Sequence, residues 1–401
     1  MVSAVARPYI DASVPVLREH GLAITRTFYQ NMFAAHPELT NLFNMGNQAS
    51  GVQQQSLASA VFAYAANIDN AAALGPVVSR IVHKHASVGI RQEHYPIVGR
   101  HLLGAIQEVL GDAATPPLIA AWDEAYSELA AALIQAEKAL YAQSGTSPGE
   151  LRAMRVTETR NECENVKSFV LQAVDGCAVP AFKPGQYLSV SVSFDNGNTQ
   201  LRQYSLSDAP NGQTLRITVK REKAEENKPA GHVSNWLHDH TVVGDTIRVT
   251  HPFGDFTPDT ESDSPIVLLS AGVGITPMIS ILKRIAEANP ARHVVFAHAT
   301  RHSGHHAHRA EITKAKSIMP NLTVATFYEQ ASTEEIAQGI AFAGRMDVSR
   351  LTPWSYAEAS VYLCGPVEFM QAQWRSLIDI GVPANKLHRE VFGPELLNYV
   401  N

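Results

Sequence analysis

"SGTSPGE", residues 144 to 150, divides this chain into two kinds of sequence. Five of its seven residues are Ser, Gly or Pro and none is apolar enough to join a core, so by composition it is a linker. Before it, apolar residues recur at helical spacing. After it, they alternate one for one and then give way to alternating strands and helices. The fold class therefore reads as multidomain, with an all-α region over residues 1–143, a linker over 144–150, an antiparallel β-barrel over 151–258 and an α/β domain with a parallel sheet over 259–401.

Upstream of the linker, "QQQSLASAVFAYAANI" puts Gln53, Leu57, Val61, Tyr64 and Ile68 on one helix face. "AWDEAYSELAAALIQAEKALYAQ" turns Ala125, Leu129, Leu133 and Leu140 inward in the same way. A third helical stretch, "IVHKHASVGIRQEHY" at 81–95, carries three histidines. At about 100° per residue, Val78, Ile81, Val82 and Val88 form an apolar stripe, and His85 falls on it. His83 falls on the opposite side with Arg80 and Lys84 and is expected to be solvated, and His94 receives no role. A histidine on an apolar face is either a satisfied core residue or a ligand, and helix phase alone leaves both open.

Downstream, "GQYLSVSVSF" alternates Leu188, Val190, Val192 and Phe194 with Tyr187 and serines, and "TLRITV" and "DTIRVT" alternate likewise. Short strands with Gly, Pro and Asn turns suit a small antiparallel barrel. From Pro265 onward, "PIVLLSAG", "HVVFAHAT", "NLTVATFY" and "SVYLCGP" alternate with helical stretches, the pattern of a parallel sheet with crossover helices.

Composition bounds the function. A chain of 401 residues with 45% hydrophobic and 17% charged residues can build two or three cores. A net charge of −6 gives no electrostatic case for nucleic acid. The opening "MVSAVARPYIDASVPVL" has no basic region followed by an apolar run, and no stretch of about 18 apolar residues occurs, so no transmembrane segment and a cytoplasmic location are expected. Cys163, Cys177 and Cys364 are scattered, which fits a reducing compartment. Three cysteines also cannot supply the four thiolates of a plant-type iron–sulfur cluster, so electron transfer here needs another centre.

Three motifs beyond the linker carry chemistry. "SAGVGITPM", residues 270–278, follows an apolar strand and opens a helix. There Gly272 and Gly274 allow close approach of a phosphate, and Pro277 fixes the first turn, although the spacing also suits a bare tight turn. "YLCGP", residues 362–366, places Cys364 at a strand's C-terminal edge, where ligands of parallel sheets collect. "RQYSLS" offers Arg202 to a phosphate and Tyr204 to a flat ring, flanked by "KPGQYL" and "GHVSNWL".

Taken in order, R-x-Y-S, G-x-V-S, G-x-G-x-T-P, Y-x-C-G-P and a terminal F-G-P resemble the ferredoxin–NADP⁺ reductase family over residues 151–401. The resemblance implies that Tyr187, Arg202, Gln203, Tyr204 and Ser205 hold FAD, with Ser234 near its pyrophosphate. Phe392 would cover the flavin within Glu390, Val391, Phe392, Gly393 and Pro394. Gly272, Val273, Gly274, Ile275, Thr276 and Pro277 would take the nicotinamide dinucleotide, with Cys364 near its ring. No acidic residue follows the second nucleotide-domain strand, and Arg301 there could accept a 2′-phosphate. The family leans towards NADH, so NADH ranks first with NADPH open.

A reductase without iron–sulfur ligands, fused to an all-α domain, needs a one-electron acceptor in that domain, and haem with His85 as ligand is the obvious candidate. "FYQNMFAAHPELTNLFNMGNQ", "QQQSL" and "HKHASVGIRQEHY" resemble the globin domain of flavohaemoglobins, and the whole chain is identified as a member of that family. This implies haem b held by His85, with Phe43 on the haem edge and Tyr29, Gln53 and Leu57 around the distal side. Tyr95 and Glu137 would be proximal partners, and Lys84 and Glu390 match positions between haem and flavin. The implied activity is nitric oxide dioxygenation with O₂ and NO as substrates. The alternatives are an O₂ or NO sensor or store, and an NAD(P)H-dependent reductase of ferric iron, quinones or hydroperoxides. A lipid is a further candidate for the distal pocket, and a monomer is expected. The run "RHSGHHAHRAE" at 301–311 is expected on solvated surface with no metal site.

Overall fold

The computed structural model describes residues 2–224, 229–351, 354–355 and 358–394. It falls into two compact units. One is built on Met1–Leu151 and also takes Ser191–Arg202; the other comprises Arg152–Val190 and Gln203–Phe392.

The first unit is helical: α1 (Arg7–Ala35), α2 (Met45–Ala49), α3 (Val52–Ala66), α4 (Ala71–Val88), α5 (His94–Leu110) and α6 (Pro116–Ser144). Pro8 and Pro116 lie in the first turns of α1 and α6, where a missing N–H costs nothing. Gly145 ends α6 in the left-handed conformation. Ile10, Ile24, Phe28, Met32, Ala105 and Ala125 are buried together, and the expected inward face of α3 (Leu57, Val61, Tyr64) packs against them. A second cluster of Val82, Tyr95, Ala130 and Leu133 joins α4, α5 and α6.

The linker is less slack than its composition suggests. Glu150 accepts from Ser147 N (2.9 Å) and Thr146 Oγ1 (3.2 Å), and Arg91 Nη2 reaches Pro148 O at 3.4 Å. Gly89, at φ +78°, sits so close that a Cβ there would meet Gly149 Cα at 2.6 Å. The linker thus lies against the C-terminal end of α4.

Next come β1 (Arg152–Cys163), β2 (Val166–Ala173), β3 (Tyr187–Ser193), β4 (Thr199–Ser205), β5 (Leu215–Lys220), α7 (His232–His240) and β6 (Thr246–Val249). They form a six-stranded sheet in the order β4-β3-β6-β1-β2-β5. β1 pairs antiparallel with both β2 and β6, and β2 with β5. Just past β4, Leu206 bridges Ile217 of β5, which draws the two edge strands together as a barrel requires.

The remainder is β7 (Ile266–Ala271), α8 (Ile275–Ala288), β8 (Val294–Thr300), α9 (Arg309–Ile318), β9 (Leu322–Tyr328), α10 (Thr333–Ala337), β10 (Phe342–Ala343), β11 (Ser360–Cys364), α11 (Val367–Asp379) and β12 (Leu387–Glu390). The strands form a parallel sheet in the order β10-β9-β8-β7-β11-β12. The order reverses at β7, so the edge beyond Ala271 and Cys364 is the switch point at which such sheets bind ligands. All six residues of β7 are buried, as expected for a strand covered on both faces.

Candidate functional site

On α4, His85 projects towards α5 and α6. Its Nδ1 lies 2.8 Å from Glu137 Oε1 and 3.1 Å from Tyr95 Oη, and Tyr95 donates to the same carboxylate oxygen at 2.5 Å. An ionised carboxylate only accepts, so the His85 proton sits on Nδ1. This leaves the Nε2 lone pair, which has no hydrogen-bond partner among the described residues, as the ligand atom. Glu137 is buried at 3% exposure, and Tyr126 Oη steadies the group by donating to Tyr95 O at 2.6 Å. Burial, the Glu137 hydrogen bond and its charge all push the Tyr95 phenol far up, so it stays a neutral donor. A histidine with one nitrogen fixed by a carboxylate and the other open fits a haem iron.

Across the helical unit, Tyr29 of α1 is buried, and Gln53 Nε2 of α3 donates to its hydroxyl at 3.3 Å. Burial raises the Tyr29 pKa to about 12, against the pull of Gln53 and Gln48. The phenol is therefore neutral, with its own O–H still available to donate. Phe43 meets Tyr29 edge-on at 5.7 Å between ring centroids, and Leu57 is half-buried on α3. Sequence reasoning missed three neighbours. Phe28 and Phe33 complete the aromatic surround of Tyr29. Gln48 is buried beside it, with an amide nitrogen that makes no hydrogen bond among the described residues. Only the position of Gln48 at the end of "FNMGNQ" hinted at it.

His83 is half-buried instead of solvated, as are Arg80, Ile81 and Lys84 beside it. His94, left without a role, accepts from Arg91 N at 3.1 Å and holds the turn that opens α5. Lys84 is half-buried beside His85.

On the barrel, Arg202, Gln203, Tyr204 and Ser205 follow one another on β4. Ser205 Oγ is buried with no partner among the described residues, an unmet polar group that a bound cofactor would satisfy. The Arg202 guanidinium donates to Gln200 Oε1 and Leu201 O. Tyr187 is buried, its ring against Gly254. Ser234, in the first turn of α7, accepts from Glu222 N and donates to Gly231 O, so its hydroxyl also braces the loop before that helix. Beyond β12, Val391 is buried, while Phe392 is 47% exposed and presents its ring as a platform. Gly393 follows at φ +137°, where side chains are disfavoured, and then Pro394.

At the switch point, Gly272 has φ +54° and Val273 and Gly274 complete a turn into Ile275, the start of α8. A Cβ on Gly274 would lie 2.3 Å from Cys364 O, so this glycine first serves close packing of α8 on β11. Thr276 Oγ1 donates to Val273 O at 3.0 Å and, like Pro277, is buried. Cys364 pairs in register with Glu390 of β12. Burial, then the Glu390 charge, pushes its thiol well above its ordinary pKa, so it is a neutral wall residue. Arg301 is exposed at the end of β8.

The 301–311 run corrects the expectation of solvated surface: His306 and His308 are buried, and His302 and His305 half-buried. The loop after β8 folds back on the sheet, and its rings find partners there. His306 Nδ1 meets Tyr328 Oη at 2.8 Å, and His308 bonds Thr218 Oγ1 at 3.1 Å and Glu311 Oε2 at 2.5 Å.

Comparison with known proteins fits this geometry. Residues 26–133 match the globin family, 153–257 the oxidoreductase FAD-binding domain and 268–374 the oxidoreductase NAD-binding domain. The chain is 48% identical over 400 residues to a flavohemoprotein of Chromobacterium violaceum, covering 98% of each, and 42% identical to one of Bacillus subtilis, covering 96% of each. It superposes on the crystal structure of a flavohemoglobin from Malassezia yamatoensis with bound FAD and heme at a TM-score of 0.86 and 30% identity, over 98% of this chain and 100% of that one. Over 61% of its length it is similar to the FAD/NAD-binding domain of a nitric oxide dioxygenase from Vibrio cholerae, at 35% identity, a TM-score of 0.56 and 99% coverage of that domain.

Proposed function

The chain belongs to the flavohaemoprotein family, and on that premise we propose that it is an NAD(P)H-dependent nitric oxide dioxygenase that uses haem b and FAD. FAD held by the β4 side chains would supply the conversion of a two-electron hydride into single electrons, and a haem iron held by His85 would supply the centre at which NO and O₂ become nitrate. Each nitrate formed from NO and O₂ takes up one electron, so one NAD(P)H serves two NO.

The observation that carries this reading is the His85–Glu137–Tyr95 group. A carboxylate on Nδ1 makes the imidazole a stronger electron donor, a bias towards oxygen chemistry over simple reversible binding. The Tyr29 O–H, held by Gln53, would donate to a polar diatomic ligand of the iron. In the reductase, Ser205 and the β4 side chains would orient the flavin, Phe392 would cover it, and the turn before α8 would receive the dinucleotide. The Vibrio cholerae relative named as a nitric oxide dioxygenase supports the same assignment.

The deciding experiment follows NAD(P)H and NO together. With O₂ present, nitrate should form with about one NAD(P)H oxidised per two NO; without O₂, nitrate should be negligible. Equal rates with and without O₂ would overturn the proposal, and slow aerobic consumption of NO would favour a sensor or store.

A further inference from the structure

The loop after β8 contains a second donor cluster, remote in role from the haem ligands. His302 and His305 stand three residues apart, His302 as the N-cap of the tight turn Ser303–His305 that ends in His305. His305 Nδ1 lies 2.8 Å from His302 Nε2, and His305 Nε2 lies 3.8 Å from Glu164 Oε2. One ligand atom from each of Glu164, His302 and His305 comes within 4.8 Å of the other two.

The cluster is held from both sides. Glu164 is in the turn between β1 and β2, and its backbone N–H donates to Gly304 O at 3.3 Å. Gly304 N in turn donates to His302 Nδ1 at 3.2 Å. A Cβ at Gly304 would fall 2.7 Å from Glu164 Oε1 and 3.0 Å from His302 Cε1, so the glycine keeps the space between the donors open.

We propose that Glu164, His302 and His305 form a site for one divalent transition ion of the zinc class, which clamps the β1–β2 turn of the barrel to the loop at the nucleotide edge of the parallel sheet. Ligand atoms about 2.0–2.2 Å from a shared ion stand roughly 3–4 Å apart, so the 2.8 Å imidazole pair opens slightly and the wider separations, all within 4.8 Å, close by up to about an ångström as the Glu164 side chain swings in. Two imidazoles and one carboxylate select Zn²⁺, Ni²⁺ or Cu²⁺ over Mg²⁺ or Ca²⁺, and waters complete the shell. The two facing imidazole nitrogens share one proton, which the ion displaces.

The adjacent group of Glu162, His308 and Glu311 does not share this property. Glu311 Oε1 already takes Arg216 Nη1 at 2.8 Å, and Glu162 Oε1 takes Ser168 Oγ at 2.6 Å. A cation there would have to displace an arginine.

The clamp stands or falls separately from NO chemistry. The full-length protein with haem and flavin bound would be stripped with chelator, titrated with Zn²⁺ by calorimetry and dialysed for metal analysis. One zinc per chain is expected in addition to haem iron, with binding weakened about tenfold or more in H302A and H305A and also reduced in E164Q. Zinc should raise the unfolding temperature of the unaltered protein and not that of H305A. Unchanged haem and flavin spectra in each variant establish that it is folded. Absence of binding at about 100 times a micromolar dissociation constant, or equal binding in all variants, would overturn the proposal.

Discussion

His85 Nδ1 and Glu137 Oε1 lie 2.8 Å apart across α4 and α6, with the carboxylate buried and the imidazole one-third exposed. The carboxylate fixes the ring's tautomer and shares its charge with whatever Nε2 binds. In Glu137→Gln the haem reduction potential should rise and NO turnover should fall about 10- to 100-fold. Spectroelectrochemical titration reads the first effect, and an unmoved potential would mean that Glu137 only packs.

His85→Ala separates the two halves of the reaction. If His85 holds the haem as proposed, NO consumption should nearly vanish, while NAD(P)H-driven reduction of ferricyanide through the flavin continues near its original rate. If NO removal persisted instead, the reductase alone would be the active part and the haem a side-centre.

Tyr29→Phe deletes the hydroxyl that Gln53 contacts while keeping the ring that packs against Phe33 and Phe43. Loss of a hydrogen bond to a polar ligand costs about 1–3 kcal/mol, so O₂ should leave roughly 10- to 100-fold faster. Stopped-flow displacement of O₂ by CO checks this. An unchanged rate would assign the role to Gln53 or Gln48.

Gly274→Ala drives a methyl group into the Cys364 carbonyl, 2.3 Å from the ideal Cβ position. Separating α8 from β11 should destabilise the nucleotide-binding region by about 1–3 kcal/mol. It should also raise KM for NAD(P)H more than it lowers kcat. Thermal unfolding and steady-state kinetics report the two effects independently.

Glu311 gives the acid response a residue. Burial alone would raise its pKa, but the hydrogen bond from His308 and the charge of Arg216 hold it near 2. Because the folded value lies below the unfolded value of 4.5, its stabilisation is complete above about pH 4.5 and drains away as pH falls towards 2. The full effect is about 3 kcal/mol. Glu311→Gln should be less stable near neutral pH and flatter between pH 4.5 and 2 in denaturant titrations, while parallel curves would remove Glu311 from the account.

The order of helical, alternating and strand–helix regions was legible because burial imposes a period on sequence, and His85 was legible because helix phase put a polar ring on an apolar stripe. Glu137 was named only through the family resemblance, although helix phase held a signal for it too. It lies four residues from Leu133 and three from Leu140, on the inward row of α6, and a carboxylate there needs a partner. The histidines of 301–311 carried none. What buries them is β5, β9 and the β1–β2 turn, and contacts made across such sequence distances leave no local period. Gly274 shows a third limit. Its glycine was legible, but the backbone carbonyl that demands it comes from Cys364, ninety residues later.

The docking of residues 146–150 on Gly89 and Arg91 changes where the gene can be cut. Judged by composition, "SGTSPGE" is the natural seam for separating the helical half from the rest. A break there would strip a buttress from the end of the helix that carries His85. Severing after Leu151, just before β1 begins, would leave that buttress in place, so the true joint of the fusion lies just past the segment that looks like it.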